Sequence, residues 1–248
     1  MKKVKTHQIL TVLATLGTIT VNILANILPL NGLNTGEISD RFEIYFVPAG
    51  YVFSIWSIIY LGLLAYTIYQ ALPSQGEDPL IKKIAPYYWI GNLANAAWIF
   101  LWHYEVFNWT LPIMLIILAS LLLINRNLSE AEGLTKWLVK LPFSIYLGWI
   151  SVATVANASQ WLYFIDWNGW GIAAATWAVI MLAVATLLGI LMSWVENDTA
   201  YGLVLIWAFV GITVSQAGTA SVVLAAWMGA ALIGISIIGS IIRFKKIY

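Results

Sequence analysis

Tryptophan and asparagine recur together at helical spacing in two places in this chain. Asn92, Asn95, Trp98 and Trp102 follow one another at intervals of three and four, and Trp149, Ala153, Asn157 and Trp161 recur every four residues. Such intervals place side chains on one helix face. An amide offers donors and an acceptor, and an indole offers one N–H on a wide flat surface. The chemistry open to these residues is recognition, by stacking on a flat apolar molecule and orienting it with hydrogen bonds. Plain architecture uses them equally well, with amides joining helices and indoles packing between them. For the asparagines that architectural reading is favoured; for the tryptophans the two readings stand level.

A third aromatic set, Phe53, Trp56 and Tyr60, lies in the run F-V-P-A-G-Y-V-F-S-I-W-S-I-I-Y over 46–60. Pro48 suits a first helical turn, where no N–H is needed. The three aromatics are expected on one face. On spacing alone they read as an interface belt ahead of a ligand wall.

The elements that must hold these residues are membrane helices. Hydrophobic residues fill 61% of the 248 positions and charged residues only 9%, where a soluble domain keeps roughly a quarter charged. The fold class expected is therefore all-α, a polytopic integral membrane helix bundle. Without cysteine there is no disulfide, thiolate or cysteine metal site, and His7 and His103 are the only imidazoles, so no metal site is expected. A net charge of +1 without a basic run leaves no role for nucleic acid. No acidic or basic side chain falls in the middle of an expected span. That disfavours a proton pump, an ion-coupled carrier and a retinal Schiff base.

Eight spans are expected, over 9–30, 47–72, 86–107, 109–124, 141–164, 170–195 and two within 200–244 divided at 215–219. The first is longer than the apolar core of a signal peptide. Its Thr18, Asn22 and Asn26 are expected to face other helices. The polar stretches 31–45, 73–85 and 125–140 read as loops. With an inner amino terminus, eight spans put Lys2, Lys3, Lys5, Lys82, Lys83, Arg126, Lys136, Lys140, Arg243, Lys245 and Lys246 in the cytoplasm. Only Arg41 of the 12 basic residues then lies outside. Seven spans would strand the terminal cluster on the wrong side.

Three motifs resemble those of the TspO/MBR family, the translocator-protein or tryptophan-rich sensory proteins. P-A-G-Y-V-F-S-I-W-S-I-I-Y is similar to the family's P-P-x-W-V-F-x-x-x-W-x-x-L-Y at Pro48, Val52, Phe53, Trp56 and Tyr60, with Ala49 for the second proline and Tyr51 for the first tryptophan. N-L-A-N-A-A-W resembles Q-L-x-L-N-x-x-W at Leu93, Asn95 and Trp98, with Asn92 for the glutamine. W-I-S-V-A-T-V-A-N-A-S-Q-W resembles W-x-x-x-A-T-x-L-N-x-x-x-W at Trp149, Ala153, Thr154, Asn157 and Trp161. Together they cover about 9–164, so a five-helix unit over 1–168 is expected, with three additional transmembrane helices over 169–248 in the same membrane domain. Ala225, Gly229, Gly234 and Gly239 in the latter suit close helix packing, or alternatively a homodimer interface.

The resemblance implies a receptor or sensor linked with stress responses, binding a tetrapyrrole such as protoporphyrin IX or haem, or a sterol-like molecule. The ligand-binding residues it implies are Tyr51, Phe53, Trp56, Tyr60, Asn95, Trp98, Trp149, Asn157 and Trp161, with no metal ligand and no covalently bound cofactor. Lipid is the other partner, and a bacterial plasma membrane with both termini cytoplasmic the implied place. Other classes stay open: a light-dependent porphyrin-degrading enzyme using indole radicals at Trp56 or Trp161, a facilitator that transports a small apolar metabolite, and a purely structural membrane partner.

Overall fold

The structure is a computed structural model that describes residues 4–28 and 30–245, with side chains described as far as Arg243. Of the basic residues counted above, Lys2, Lys3, Lys246 and the Lys245 side chain lie outside the described residues. Every regular element among the described residues is helical. The long helices are α1 Thr6–Ile27, α2 Ile55–Ala71, α3 Pro79–His103, α4 Phe107–Asn127, α5 Leu141–Phe164, α6 Ala174–Val195, α7 Thr199–Ser215 and α8 Ala220–Lys245. Six stretches are long and apolar enough to cross a bilayer: Thr6–Ile27, Gly50–Ala71, Phe107–Asn127, Gly133–Phe164, Ala174–Val195 and Ala220–Arg243. Two helices fall short in different ways. α3 has the length at 25 residues, but Lys82, Lys83 and two asparagines dilute it. α7 is apolar but has 17 residues, about 25 Å against a hydrocarbon core of about 30 Å. The chain is a polytopic helical membrane protein.

Two expected boundaries move for local reasons. The stretch 73–85 is not all loop, because α3 starts at Pro79. The Asp78 carboxylate caps it, accepting from Leu80 N at 2.8 Å and Ile81 N at 3.1 Å, and Pro79 fills a first-turn position that needs no N–H. In the opening aromatic stretch, a 3₁₀ turn at Gly50–Ser54 precedes α2.

The chain forms two compact units, Met1–Phe42 with Trp56–Leu147, and Glu43–Ile55 with Gly148–Tyr248. In the first unit, α1 buries a polar seam. Gln8, Thr11, Thr15, Thr18 and Asn22 follow in alternating steps of three and four, and all are buried. The expected stripe holds at Thr18 and Asn22 but not at Asn26, which is exposed and donates from Nδ2 to Asn22 O of its own helix at 2.9 Å. Repeated steps of four drift by about 40° each at 3.6 residues per turn, whereas alternating steps stay on one face. Thr15 Oγ1 lies 2.7 Å from both Thr67 Oγ1 on α2 and Tyr88 Oη on α3. Gln8 Nε2 donates to Gln70 O at 2.6 Å, and Thr18 Oγ1 donates to Asn92 O at 3.2 Å. Opposite faces expose Leu13, Leu16, Leu61, Ile68 and Leu93, the side chains a lipid environment accepts.

The polar stretch after α1 is pinned to the end of α3. A short helix, Thr35–Ser39, is capped reciprocally by Asn34 and Glu37. It drops Ile38 among Trp102 and Phe107, with Leu33, Phe42 and Trp98 around them. Arg41 grips Glu105 through both guanidinium ends, at 2.5 and 3.3 Å. At the other end of α1, the exposed Glu77 pairs with Lys5 at 2.6 Å and with Lys82.

The second unit packs α6, α7 and α8 through small residues. A Cβ at Gly229 would sit 2.4 Å from Thr186 Oγ1, and one at Gly202 would sit 2.9 Å from Ile237 Cδ1. Gly239 faces the Trp194 ring, whereas Gly234 has nothing within 4 Å. The segment before α2 lies along α7. Ala49 N donates to Gly211 O at 3.0 Å, Trp207 Nε1 to Val52 O at 3.1 Å, and Ser215 Oγ to Val47 O at 2.6 Å. So close an approach needs a residue without a side chain at Gly211.

Two outcomes follow from this packing. A Cβ on Gly211 would lie 2.2 Å from Val52 Cγ2, so Gly211→Ala should destabilise the detergent-solubilised protein by about 1–3 kcal/mol. Gly234→Ala should leave the thermal unfolding curve in place. The Glu77 carboxyl is held at about 2 against an ordinary 4.5, first by hydrogen bonds from Lys5 and Lys82 and then by their charge. A lowered value means that the pairing stabilises fully above pH 4.5 and is lost as pH falls through about 2. Melting temperatures of the wild type and Glu77→Gln should differ slightly near neutral pH and converge towards pH 2, a small difference because the carboxylate is exposed.

Candidate functional site

The first unit gathers an aromatic cluster on α2 and α5 and backs it with amides from α1 and α3. Trp56 and Tyr60, one turn apart on α2, stack with ring centroids 5.4 Å apart and planes 25° from parallel. Tyr146, from the second turn of α5, meets Trp56 edge-on at 5.8 Å. Behind the cluster, Asn95 Nδ2 donates to Tyr146 Oη at 2.8 Å, and Asn22 Nδ2 donates to Asn95 Oδ1 at 2.7 Å. Tyr146, Asn95 and Asn22 are each only 4% exposed, while Trp56 and Tyr60 are half-buried. Two rings thus face outward over a buried phenol whose oxygen is held from behind. The arrangement has no charge, carboxylate or imidazole in it. Its chemistry is stacking on an apolar face with a hydroxyl at its edge.

The other residues singled out by spacing divide between the two units. Trp98, in the first unit, stacks on Trp102 at 5.1 Å and 15°, within the cluster that receives Ile38. In the second unit, Phe53 meets Trp149 edge-on at 5.5 Å, and Tyr51 meets Trp207 edge-on at 5.4 Å. Trp149 and Asn157 are each 2% exposed, and Trp161 is half-buried. Trp109 and Trp170 stand out of the fold at 61% and 76% exposed.

Spacing did not point to Tyr146, nor to Tyr88 and Thr67, which complete the α1 seam. Their signal was present but weak. Tyr146 stands three residues before Trp149, a helical interval, yet in the chain it is one tyrosine among 12. Nothing local distinguishes a tyrosine that meets an amide from one that meets lipid.

A haem iron would need an axial ligand, and the buried His103 does not offer one. Its Nε2 lies 3.0 Å from Thr35 Oγ1 and its Nδ1 3.1 Å from Leu30 O, so both ring nitrogens are engaged in holding the 31–42 stretch.

Comparison with known proteins places these features in a family. A family model described as TSPO-like protein matches residues 8–239. Neither the curated proteins nor the solved structures give a match. The matched stretch contains all three motifs, and it runs past the 9–164 that they cover to take in α6, α7 and most of α8. It includes the segment of α7 on which Pro48 and Val52 rest. With nearly its whole length matched, the chain belongs to the TSPO-like protein family.

Proposed function

We propose that this protein is a membrane receptor for a hydrophobic planar ligand of the tetrapyrrole class, such as protoporphyrin IX, and that it acts as a sensor in stress responses. The observation that supports the reading best is the Trp56–Tyr60–Tyr146 cluster, backed by Asn95 and Asn22 and carried on helices that bear family motifs. A flat ring laid on Trp56 and Tyr60 loses apolar area to water at about 25 cal/mol per Å², less ordering costs. The ring, not an iron, is what these side chains suit, so metal-free protoporphyrin should bind at least as well as haem.

In this reading the chain crosses a bacterial plasma membrane eight times, α3 and α7 being added to the six long apolar spans, with both termini in the cytoplasm. The ligand site belongs to 1–168, and 169–248 adds three further helices outside it. A homodimer is compatible with the open surface at Gly234.

The topology is testable because the chain has no native cysteine. A single cysteine placed at Gly36 should react with an impermeant maleimide in intact cells, and one at Ser129 should not. Labelling of Ser129→Cys from outside would overturn the eight-span orientation.

The binding site is tested by Trp56→Leu, which keeps apolar character and so preserves insertion. It should weaken protoporphyrin IX binding by roughly 1–3 kcal/mol, the order of a lost stacking surface. The same change at Trp109 or Trp170 should cost little. Equal losses at Trp56 and Trp170, measured by titration of folded protein, would reduce Trp56 to an interface anchor. Loss of porphyrin absorbance under illumination but not in the dark would identify the degrading enzyme instead.

A further inference from the structure

Stacking on Trp56 and Tyr60 makes no use of the Tyr146 hydroxyl, and the amides behind it determine what that hydroxyl can do. Asn22 Nδ2 donates to Thr18 O at 2.9 Å. A backbone carbonyl only accepts, so this bond fixes which end of the Asn22 amide is which. The same Nδ2 reaches Asn95 at 2.7 Å, and Asn95 must therefore present Oδ1 to it. With its oxygen committed, Asn95 turns Nδ2 towards Tyr146 and donates to Oη at 2.8 Å. The phenol oxygen is an acceptor here, and its own proton points elsewhere. Asn95 is the hydrogen-bond partner described for this hydroxyl, and no acceptor among the described residues takes the proton. A phenol O–H in a water-poor site is costly to leave without an acceptor.

The geometry points to Tyr146 as a specificity-determining donor, giving its proton to an oxygen on the ligand that stacks against Trp56 and Tyr60. The inference rests on the planar-ligand reading and narrows the ligand's chemistry to a conjugated ring with a carbonyl or carboxylate oxygen at its edge. The same ring with alkyl edges leaves the Tyr146 proton unmatched and is discriminated against. Asn95 and Asn22 touch no ligand in this scheme. They are positioning residues, and a two-amide relay from Thr18 O sets the polarity of the phenol. Tyr60, whose ring lies flat on Trp56, supplies surface only.

Three porphyrins test this with the full-length protein in detergent, by quenching of tryptophan fluorescence. Protoporphyrin IX carries carboxylates, its dimethyl ester keeps neutral carbonyl oxygens, and octaethylporphyrin has alkyl edges alone. The wild type should bind the first two about 3- to 10-fold more tightly than the third, the worth of one net hydrogen bond. Tyr146→Phe should erase the ratio, so that all three bind with similar affinity, and Trp109→Phe, outside the cluster, should keep the wild-type ratio. Asn95→Asp supplies an oxygen where the amide nitrogen stood, so the Tyr146 proton turns inward and the preference for oxygen-bearing rings disappears. A residue that merely filled space would not move that ratio. A Tyr146→Phe protein that keeps the wild-type preference, or a wild type that binds all three equally, overturns the inference and leaves the receptor reading standing. Saturable binding of none of the three by the wild type sinks both.

Discussion

In hydrocarbon, a hydroxyl or amide has only other protein groups to bond with, and the polar face of α1 is placed to meet that requirement. Five polar side chains on α1 would be a heavy burden on a lone helix in lipid. Against α2 and α3 each finds a partner, from Gln8 on Gln70 O to Asn22 on Asn95. The Thr15–Thr67–Tyr88 junction, with both contacts at 2.7 Å, ties three helices at one point. A slip of one residue in α1 would turn the whole seam towards lipid, so the polar pattern fixes rotation and register together. The position of Asn95, and with it the setting of Tyr146, follows from that register.

The sequence made some of this legible and left other parts closed. Membrane character and the helical class can be read from apolar run lengths, and the break between Ser215 and Ala220 from a run too long for one span with a polar interruption at 215–219, because the bilayer imposes its thickness on any chain. The motifs carried the family. The stacking of Trp56 on Tyr60 is a one-turn contact within a helix and follows from spacing. Contacts across the chain did not yield in the same way. Phe53 meets Trp149 edge-on across 96 residues of chain, a pairing that no local interval announces. The start of α3 at Pro79 was hidden because Lys82 and Lys83 look like loop residues; Asp78 and Pro79 were the better guide. Asn26 was misplaced by extending steps of four one turn too far.

The opening motif changes role partway along. Up to Val52, its residues are backbone donors and acceptors and small apolar contacts for α7, and from Trp56 it is a half-buried aromatic face. Val52 and Pro48 press on a glycine, while Trp56 and Tyr60 stack on each other and are half-buried. Matched residues within one motif therefore carry different physical duties, some in packing and some at the candidate site. The match of the family model through α7 agrees with that division, since the first half of the motif has its contacts there.

The bonds between 44–52 and α7 also govern the order in which the protein can be completed. Trp207 Nε1 reaches Val52 O across 155 residues, and Gln216 Nε2 reaches Ile44 O across 172. At translation rates of about 5–20 residues per second, α7 leaves the ribosome on the order of 10 s after the segment it will hold. By then the whole chain of the first unit, ending at Leu147, has been synthesised. During that interval the carbonyls of Ile44, Val47 and Val52 must be satisfied by water or by the insertion machinery. The nascent protein thus passes through a stage in which one half of its signature motif has its final neighbours and the other half waits for a helix not yet made.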